Sequence, residues 1–314
     1  MNTTLLRMAG IIITALSLCG TGWAQASDQS GTNDPLYSRQ WLLGVTTPEN
    51  PQAWPTSVQR LYILDCGNGA SDNMENWTPG RNRGKPNDLP AECYLIKDSH
   101  GWFLFDTGLP DHLASMQNGW LCCGGIHQTM NKTLMSQLDQ LGVKPSDLMG
   151  IGLGSDDPTC VGNLELFPDT KVYVAREEYD YYFSHPVQNP AGNPVPTFSP
   201  NHPVQLIDED WDVFNDNSVI MVGTPGHTPG LTGLLIHLPQ TGWVFFTDDS
   251  IHLRQNFYND AIPQFRGRAL DSRMEILLSM QRIRNLMNFY QAKMVIQHDY
   301  DQSKTLKYAP EYYQ

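Results

Sequence analysis

Three strand-end motifs carry the side chains most able to do chemistry. Gly223-Thr224-Pro225-Gly226-His227-Thr228-Pro229-Gly230 holds one histidine in a rigid Gly/Pro turn just after an apolar run. Phe245-Phe246-Thr247-Asp248-Asp249-Ser250 puts paired carboxylates after a second run, and Ile296-Gln297-His298-Asp299 puts a second histidine after a third. A neutral imidazole fixed at a strand end is a natural metal ligand, and carboxylates can complete such a site. An isolated histidine more often only hydrogen-bonds its own turn. Three such strand ends shift the balance towards a metal centre, whose chemistry is to lower the pKa of a bound water and polarise a carbonyl oxygen.

The elements that must position these groups are legible as short apolar runs bounded by Gly, Asn and Asp, the pattern of buried strands. Leu61–Leu64, Tyr94–Ile96, Trp102–Phe105, 148–153 and 171–174 form a β-rich first half, and 219–222, 233–238, 243–246 and 294–296 a second. Met130, Leu134, Leu138 and Leu141 share one face of a predicted helix that Gly142 ends, and a longer helix runs from about 270 to 290 with Ile283, Leu286, Met287 and Tyr290 on one face. Two halves of this kind predict two sheets stacked face to face with helices outside, an α/β architecture. Between Ser184 and Pro203 six prolines exclude helix and central strand, so a long surface loop is expected, either a lid or an insertion.

With those residues in hand the chain resembles the metallo-β-lactamase-fold hydrolases, and within them the N-acyl homoserine lactonase-like group. The matching landmarks are Cys93-Tyr94-Leu95-Ile96, Leu104-Phe105-Asp106-Thr107-Gly108, Gly162-Asn163, the turn at 226–230, Thr247 to Ser250 and His298-Asp299. They span nearly all of the chain after its N-terminal segment. The resemblance implies a four-layer αβ/βα sandwich of two mixed β-sheets with a two-metal site, usually zinc, at the sheet edges. His227, Asp249 and His298 match metal ligands, with Asp249 bridging. His252, three residues after Asp249, falls where the lactonases place a tyrosine near the substrate carbonyl. This gives it a role as hydrogen-bond donor or general acid, with a surface histidine as the plainer alternative.

The departure matters as much as the match. The family carries His-x-His-x-Asp-His ahead of its Gly-Asn pair, whereas this chain reads Ser155-Asp156-Asp157-Pro158-Thr159-Cys160. The resemblance therefore leaves Cys160, Asp249 and His298 as a three-ligand zinc site with an open position for water, and His227, Asp157 and Asp249 as a weaker second one. Two readings follow. The chain is a metal-dependent hydrolase of lactones or related esters with a rewired, single-zinc site, or it is a pseudoenzyme that has lost its metal and uses the cleft to bind a ligand or partner. Asp106-Thr107-Gly108 invites an aspartic-protease reading, but that chemistry needs two such carboxylates; a role bracing the site is expected instead. Tyr179, Tyr181, Tyr182 and Phe183 are candidates either for an apolar substrate pocket or for core packing.

The remaining sequence bounds the setting. Lys+Arg number 20 against Asp+Glu 33, a net charge of −13 over 314 residues, and no basic run could track a phosphate backbone; nucleic acid is excluded as a partner, leaving a small molecule. No Gly-rich phosphate loop or Gly-x-Ser-x-Gly elbow occurs, which removes nucleotide and serine-hydrolase chemistry. Arg7, the apolar stretch Met8 to Gly20 and Ala24-Gln25-Ala26 form a signal-peptide pattern with a cut before Ser27, implying a periplasmic or secreted protein with no integral membrane segment. The bulky Leu18 disfavours a lipoprotein anchored at Cys19. The expected organisation is residues 1–26 as signal peptide, 27–57 as an N-terminal arm and 58–314 as the metallo-β-lactamase-like domain. Five of the six cysteines lie beyond the signal segment, and Cys66 with Cys93 is the preferred disulfide in an oxidising compartment.

Overall fold

In the computed structural model, residues 50–122, 125–185, 199–263 and 272–314 are described. The thirteen strands of these regions are β1 (Val58–Ser71), β2 (Asn87–Asp98), β3 (Trp102–Phe105), β4 (Trp120–Leu121), β5 (His127–Thr129), β6 (Leu148–Gly152), β7 (Val172–Ala175), β8 (Val204–Ile207), β9 (Trp211–Asp212), β10 (Val219–Gly223), β11 (Thr232–Leu238), β12 (Gly242–Phe246) and β13 (Lys293–Val295). The helices are α1 (Leu134–Gln140), α2 (Pro158–Val161), α3 (Arg176–Ser184), α4 (Arg254–Asn259), α5 (Arg273–Tyr290) and α6 (Tyr300–Ser303). Eight strands form one mixed sheet in the order β4-β5-β1-β2-β3-β6-β7-β8, and five form the other, β13-β12-β11-β10-β9.

Alternation along the strands divides the apolar residues between two cores. Leu61, Ile63, Tyr94, Ile96, Phe103 and Phe105 of the large sheet face Val219, Met221, Leu234, Ile236, Val244 and Phe246 of the small one. Their neighbours Tyr62, Leu64, Leu95 and Leu104 point the other way and are covered by Leu134 and Leu138 of α1 and by Val161 of α2. On the outer face of the small sheet Trp243 meets Tyr290 of α5, with ring centroids 4.4 Å apart. Helix, sheet, sheet, helix is the four-layer sandwich expected from the sequence.

The differences in extent have local causes. β1 and β2 run well beyond their apolar centres because they pair as one long antiparallel hairpin across a register shift between Asp65 and Asn68. Gly67 sits in that irregularity at φ +119°, where a Cβ would press on Leu109. α1 starts at Leu134 and not at Met130, because the Thr133 hydroxyl caps it by accepting the N–H of Ser136 at 3.0 Å. Met130 packs instead with Ala91, Leu109 and Leu113. Within the stretch read as an arm, Pro51 is buried and its carbonyl accepts Trp243 Nε1 at 2.9 Å, while Trp54 stacks edge-on against Trp243 and Tyr290. The signal-peptide segment and most of the arm lie outside the described residues, as do 186–198 of the proline-rich loop. Cys66 and Cys93 are joined in a disulfide between β1 and β2, the pairing preferred from the sequence. No described helix is long and apolar enough to cross a membrane.

Glu92 is a fully buried acid on β2, accepting the hydroxyls of Tyr94 at 3.0 Å and Tyr308 at 2.6 Å. Burial outweighs those two hydrogen bonds and pushes its carboxyl up to about 7. A raised carboxyl pKa stabilises the fold fully below the unfolded value and loses that contribution as pH climbs through about 7. Taken over the shift, the loss is about 3 kcal/mol. Glu92→Gln removes the titration, so denaturant unfolding at pH 5 and pH 8 is expected to show a smaller drop for the variant than for the parent; equal drops would mean that Glu92 ionises normally in the fold.

Candidate metal centre

The loops that leave the sheet edges build the site. The turn after β10 carries His227, and it is braced on α5. Gly226, at φ +145°, lies so close to the start of that helix that a Cβ would sit 2.7 Å from the Ile276 amide, and Ser279 Oγ donates to the Pro225 carbonyl at 2.6 Å. After β12, Thr247 to Ser250 turn sharply, with Asp248 in the left-handed region at φ +47°. After β13, Asp299 caps α6 by accepting the N–H of Gln302 and also accepts the backbone N–H and Nε of Arg254, at 2.9 and 3.0 Å. That carboxylate ties the His298 segment to the His252 segment.

These loops bring His227, Asp249 and His252 together, with one ligand atom of each within 4.8 Å of the others and all three side chains buried. Asp249 Oδ1 is 3.1 Å from His252 Nε2 and 3.0 Å from His298 Nε2. His298 Nδ1 lies 2.7 Å from the Pro90 carbonyl, which can only accept, so the ring carries its proton on Nδ1. In a neutral His298, Nε2 then presents a lone pair to a carboxylate oxygen. That contact needs a positive charge between or on its partners, a second ring proton or a metal cation. The hydrogen bond from the remote nitrogen to a backbone carbonyl is also the arrangement that orients metal-ligating histidines.

The charges follow the same logic. Burial alone would raise the Asp249 carboxyl, but His252 and His298 overcome it and hold it well below the usual range. Burial keeps His252 below the ordinary histidine value despite Asp249. For His298 the same burial is outweighed by Asp249, and the imidazole is pushed up.

The 155–160 stretch lies beside this group without merging into it. Ser155 Oγ sits between Asp249 Oδ2, at 3.1 Å, and Cys160 Sγ, at 3.3 Å. Cys160 groups with Asp106 and Asp248, not with Asp249 and His298. Asp157 caps α2: its Oδ1 accepts the N–H and hydroxyl of Thr159 at 3.0 and 2.9 Å, and its charge acts on His298. Asp106 braces the site as expected, accepting the Gly154 N–H at 2.8 Å from a backbone at φ +60°. Asn163 joins the same brace, donating to the carbonyls of Thr107 and Leu109, both at 2.7 Å.

Glu178 is a positioning residue that sequence reasoning passed over. Buried at the start of α3, it accepts the N–H of Asp156 at 2.7 Å and of Gly230 at 3.1 Å, pinning the 155–160 stretch to the His227 turn. Burial and the nearby Asp156 push its carboxyl up to about 7. In the sequence it is one of two adjacent glutamates in the first turn of a Tyr-rich helix, and nothing there separates it from its exposed neighbour. Of the aromatic residues on that helix, Tyr179 and Tyr182 pack against the outer core, Tyr181 stacks on His185 and Phe183 is exposed.

No family model matches the chain. It is 29% identical over 264 residues to an N-acyl homoserine lactonase of a Bacillus species, covering 82% of this chain and 99% of that protein. It is 26% identical over 266 residues to the N-acyl homoserine lactonase AttM of Azorhizobium caulinodans, covering 81% and 98%. An N-acyl homoserine lactone hydrolase with its product N-hexanoyl-L-homoserine at the catalytic metal centre superposes at a TM-score of 0.70, with 25% identity and coverage of 82% and 99%. AidC, a dizinc quorum-quenching lactonase, shares the fold at a TM-score of 0.56 and 17% identity over 82% and 97% of the two chains. In sequence and in fold, over four-fifths of its length, the chain is similar to the N-acyl homoserine lactonases and shares their two-sheet αβ/βα sandwich.

Proposed function

We propose that this protein is an exported hydrolase that uses one zinc or similar ion, held in the cleft by His227, Asp249 and His298 with His252 alongside, to open a lactone or related ester. The observation that carries the reading is the buried contact between His298 Nε2 and Asp249 Oδ1, which a bound cation satisfies while Pro90 fixes the ring from behind. Two or three imidazoles and a carboxylate are a donor set suited to zinc. When bound, the ion would supply Lewis acidity and a water of lowered pKa.

The chain's own residues do the rest. Asp249 stays ionised and orients both histidines, and His252, held below the ordinary histidine value, can move a proton at its ring nitrogen during ring opening. Burial of all four side chains restricts bulk water near them. The relatives' names supply the substrate class, and Ser155, Asp157, Thr159 and Cys160, where the family places ligands, support a cleft that holds one ion. The N-terminal pattern supports export.

The test is elemental mass spectrometry and ester turnover on residues 27–314, produced without a His tag in zinc-supplemented medium. At least one zinc per chain is expected, with hydrolysis of N-hexanoyl homoserine lactone or another member of a lactone and ester panel that chelation abolishes. A folded, metal-free protein without turnover in zinc buffer would replace this reading with a cleft retained for ligand binding.

A further inference from the structure

The turn that carries His227 is gripped by one face of α5. Ser272, Ile276, Ser279 and Arg282 follow one another at spacings of four, three and three, which places them in one stripe along the helix. The Ser272 N–H donates to the Gly226 carbonyl at 3.1 Å, Ile276 packs under Gly226, and Ser279 Oγ donates to the Pro225 carbonyl. Arg282 Nη1 donates to the Gly223 carbonyl at 2.9 Å. The carbonyls of Gly223, Pro225 and Gly226, all just ahead of His227, are therefore held from this helix. The helix is anchored in turn at its far end, where Tyr290 lies against Trp243 and Trp54.

Arg282 does more than the other three. Gly223 ends β10 beyond the last residue pair with β9, Met221 with Trp211, and there side chains take over from the strand ladder. Asp210, in the loop between β8 and β9, accepts the Gly223 N–H on Oδ1 at 2.9 Å, and its Oδ2 accepts Arg282 Nη2. Both backbone polar groups of Gly223 are thus bonded to the two members of one ion pair, which closes a ring through three segments of the chain. The pair is well covered, with the side chain of Asp210 2% exposed and that of Arg282 22%. A covered ion pair is weak support for stability, since desolvation offsets its attraction, but its charge-assisted bonds are directional. Apolar side chains could fill the same space and could not orient a backbone amide and carbonyl.

We propose that Arg282 and Asp210 are positioning residues for His227, clamping Gly223 as the fixed point from which the turn carries the imidazole into the cleft. The consequence for metal affinity rests on the reading of the cleft as a metal centre. Gly223 is only four positions from His227, and a ligand must be held within about 0.5 Å and 10–20° of its productive geometry. Release of Gly223 lets the turn pivot, and the rotation is carried out to the imidazole. The clamp therefore acts on the metal without touching it, and a guanidinium does this better than an ammonium because its rigid fork serves the carbonyl and the carboxylate at once.

Proton–carbon correlation spectra of the histidine rings in chelator-treated protein, residues 27–314, follow His227 directly, its peak being assigned by its loss in His227→Gln. Arg282→Ala is expected to shift or split that peak while leaving those of His100 and His202, on other segments, in place. Zinc titrated against a competing chelator is expected to bind this variant tenfold or more weakly than the parent. Arg282→Lys keeps a charge and a donor beside Asp210 and should recover part of the affinity. Asp210→Asn breaks the ion pair with little change of shape and gives the same readouts should the alanine variant fail to fold. Thr133→Ala, which loosens α1 and not the clamp, should move neither readout. A His227 peak unchanged in folded Arg282→Ala or Asp210→Asn overturns the proposal, and so does a loss of zinc affinity in Thr133→Ala as large as theirs. A parent that takes up no zinc refutes the metal reading of the cleft, and the His227 peak then still decides whether the clamp positions that ring.

Discussion

Replacing Asp249 with asparagine is expected to empty the cleft of metal and lower ester turnover by at least about two orders of magnitude. The carboxylate contacts both His252 and His298, and its negative charge is what a cation in the cleft would share. An amide keeps the shape but surrenders the charge, and ligand loss of this kind removes most metal affinity. Metal content, turnover and thermal unfolding measured on the same preparation check this. Full metal content and turnover in the variant would remove Asp249 from the centre, and a large drop in melting temperature would mean that the side chain serves mainly to hold the fold.

Glu178→Ala is expected to lower both stability and activity. Truncation leaves the N–H groups of Asp156 and Gly230 buried without an acceptor. Each such orphan costs about 1–3 kcal/mol, so the domain should lose about 2–6 kcal/mol in denaturant unfolding. It also unpins the His227 turn from the 155–160 stretch, and ligand geometry tolerates little slack. A tenfold or greater fall in turnover is expected, carried by weaker metal binding and partly restored by excess zinc. Glu178→Gln retains one acceptor and should fall between alanine and the parent in both measurements. If Glu178→Ala lowers stability and leaves metal affinity untouched, the residue holds the fold and not the site.

Both predictions concern side chains whose importance comes from neighbours distant in the chain. Glu178 joins residues 22 and 52 positions away, and Asp249 meets a histidine 49 positions on. The same distance separates what the sequence could supply from what it could not. Buried strands announce themselves through composition, since apolar runs between turn formers have few other uses, and this placed Leu61–Leu64, Trp102–Phe105 and the strands of the second half. It undercounted the strands whose partners give them their existence: the polar ends of β1 and β2, and the short edge strands β4, β5 and β9, pair by backbone hydrogen bonds that carry no side-chain signature.

At the site, residue type and strand-end position marked His227, the acid pair Asp248-Asp249 and His298, and the resemblance singled out Asp249 of the pair. His252 was marked through resemblance, and its burial against Asp249 is a tertiary fact. The partners of Cys160 were decided only by the fold. Along the chain the cysteine occupies a ligand position of the lactonases, but Ser155 intervenes between it and Asp249, and the turn at Asp248 brings a different carboxylate to its sulfur. The sequence by itself determined which residues could serve as ligands and which sheet edges would present them, since both depend on local chemistry. Which ligands meet depended on loop conformation at the level of an ångström, which only the packed structure sets.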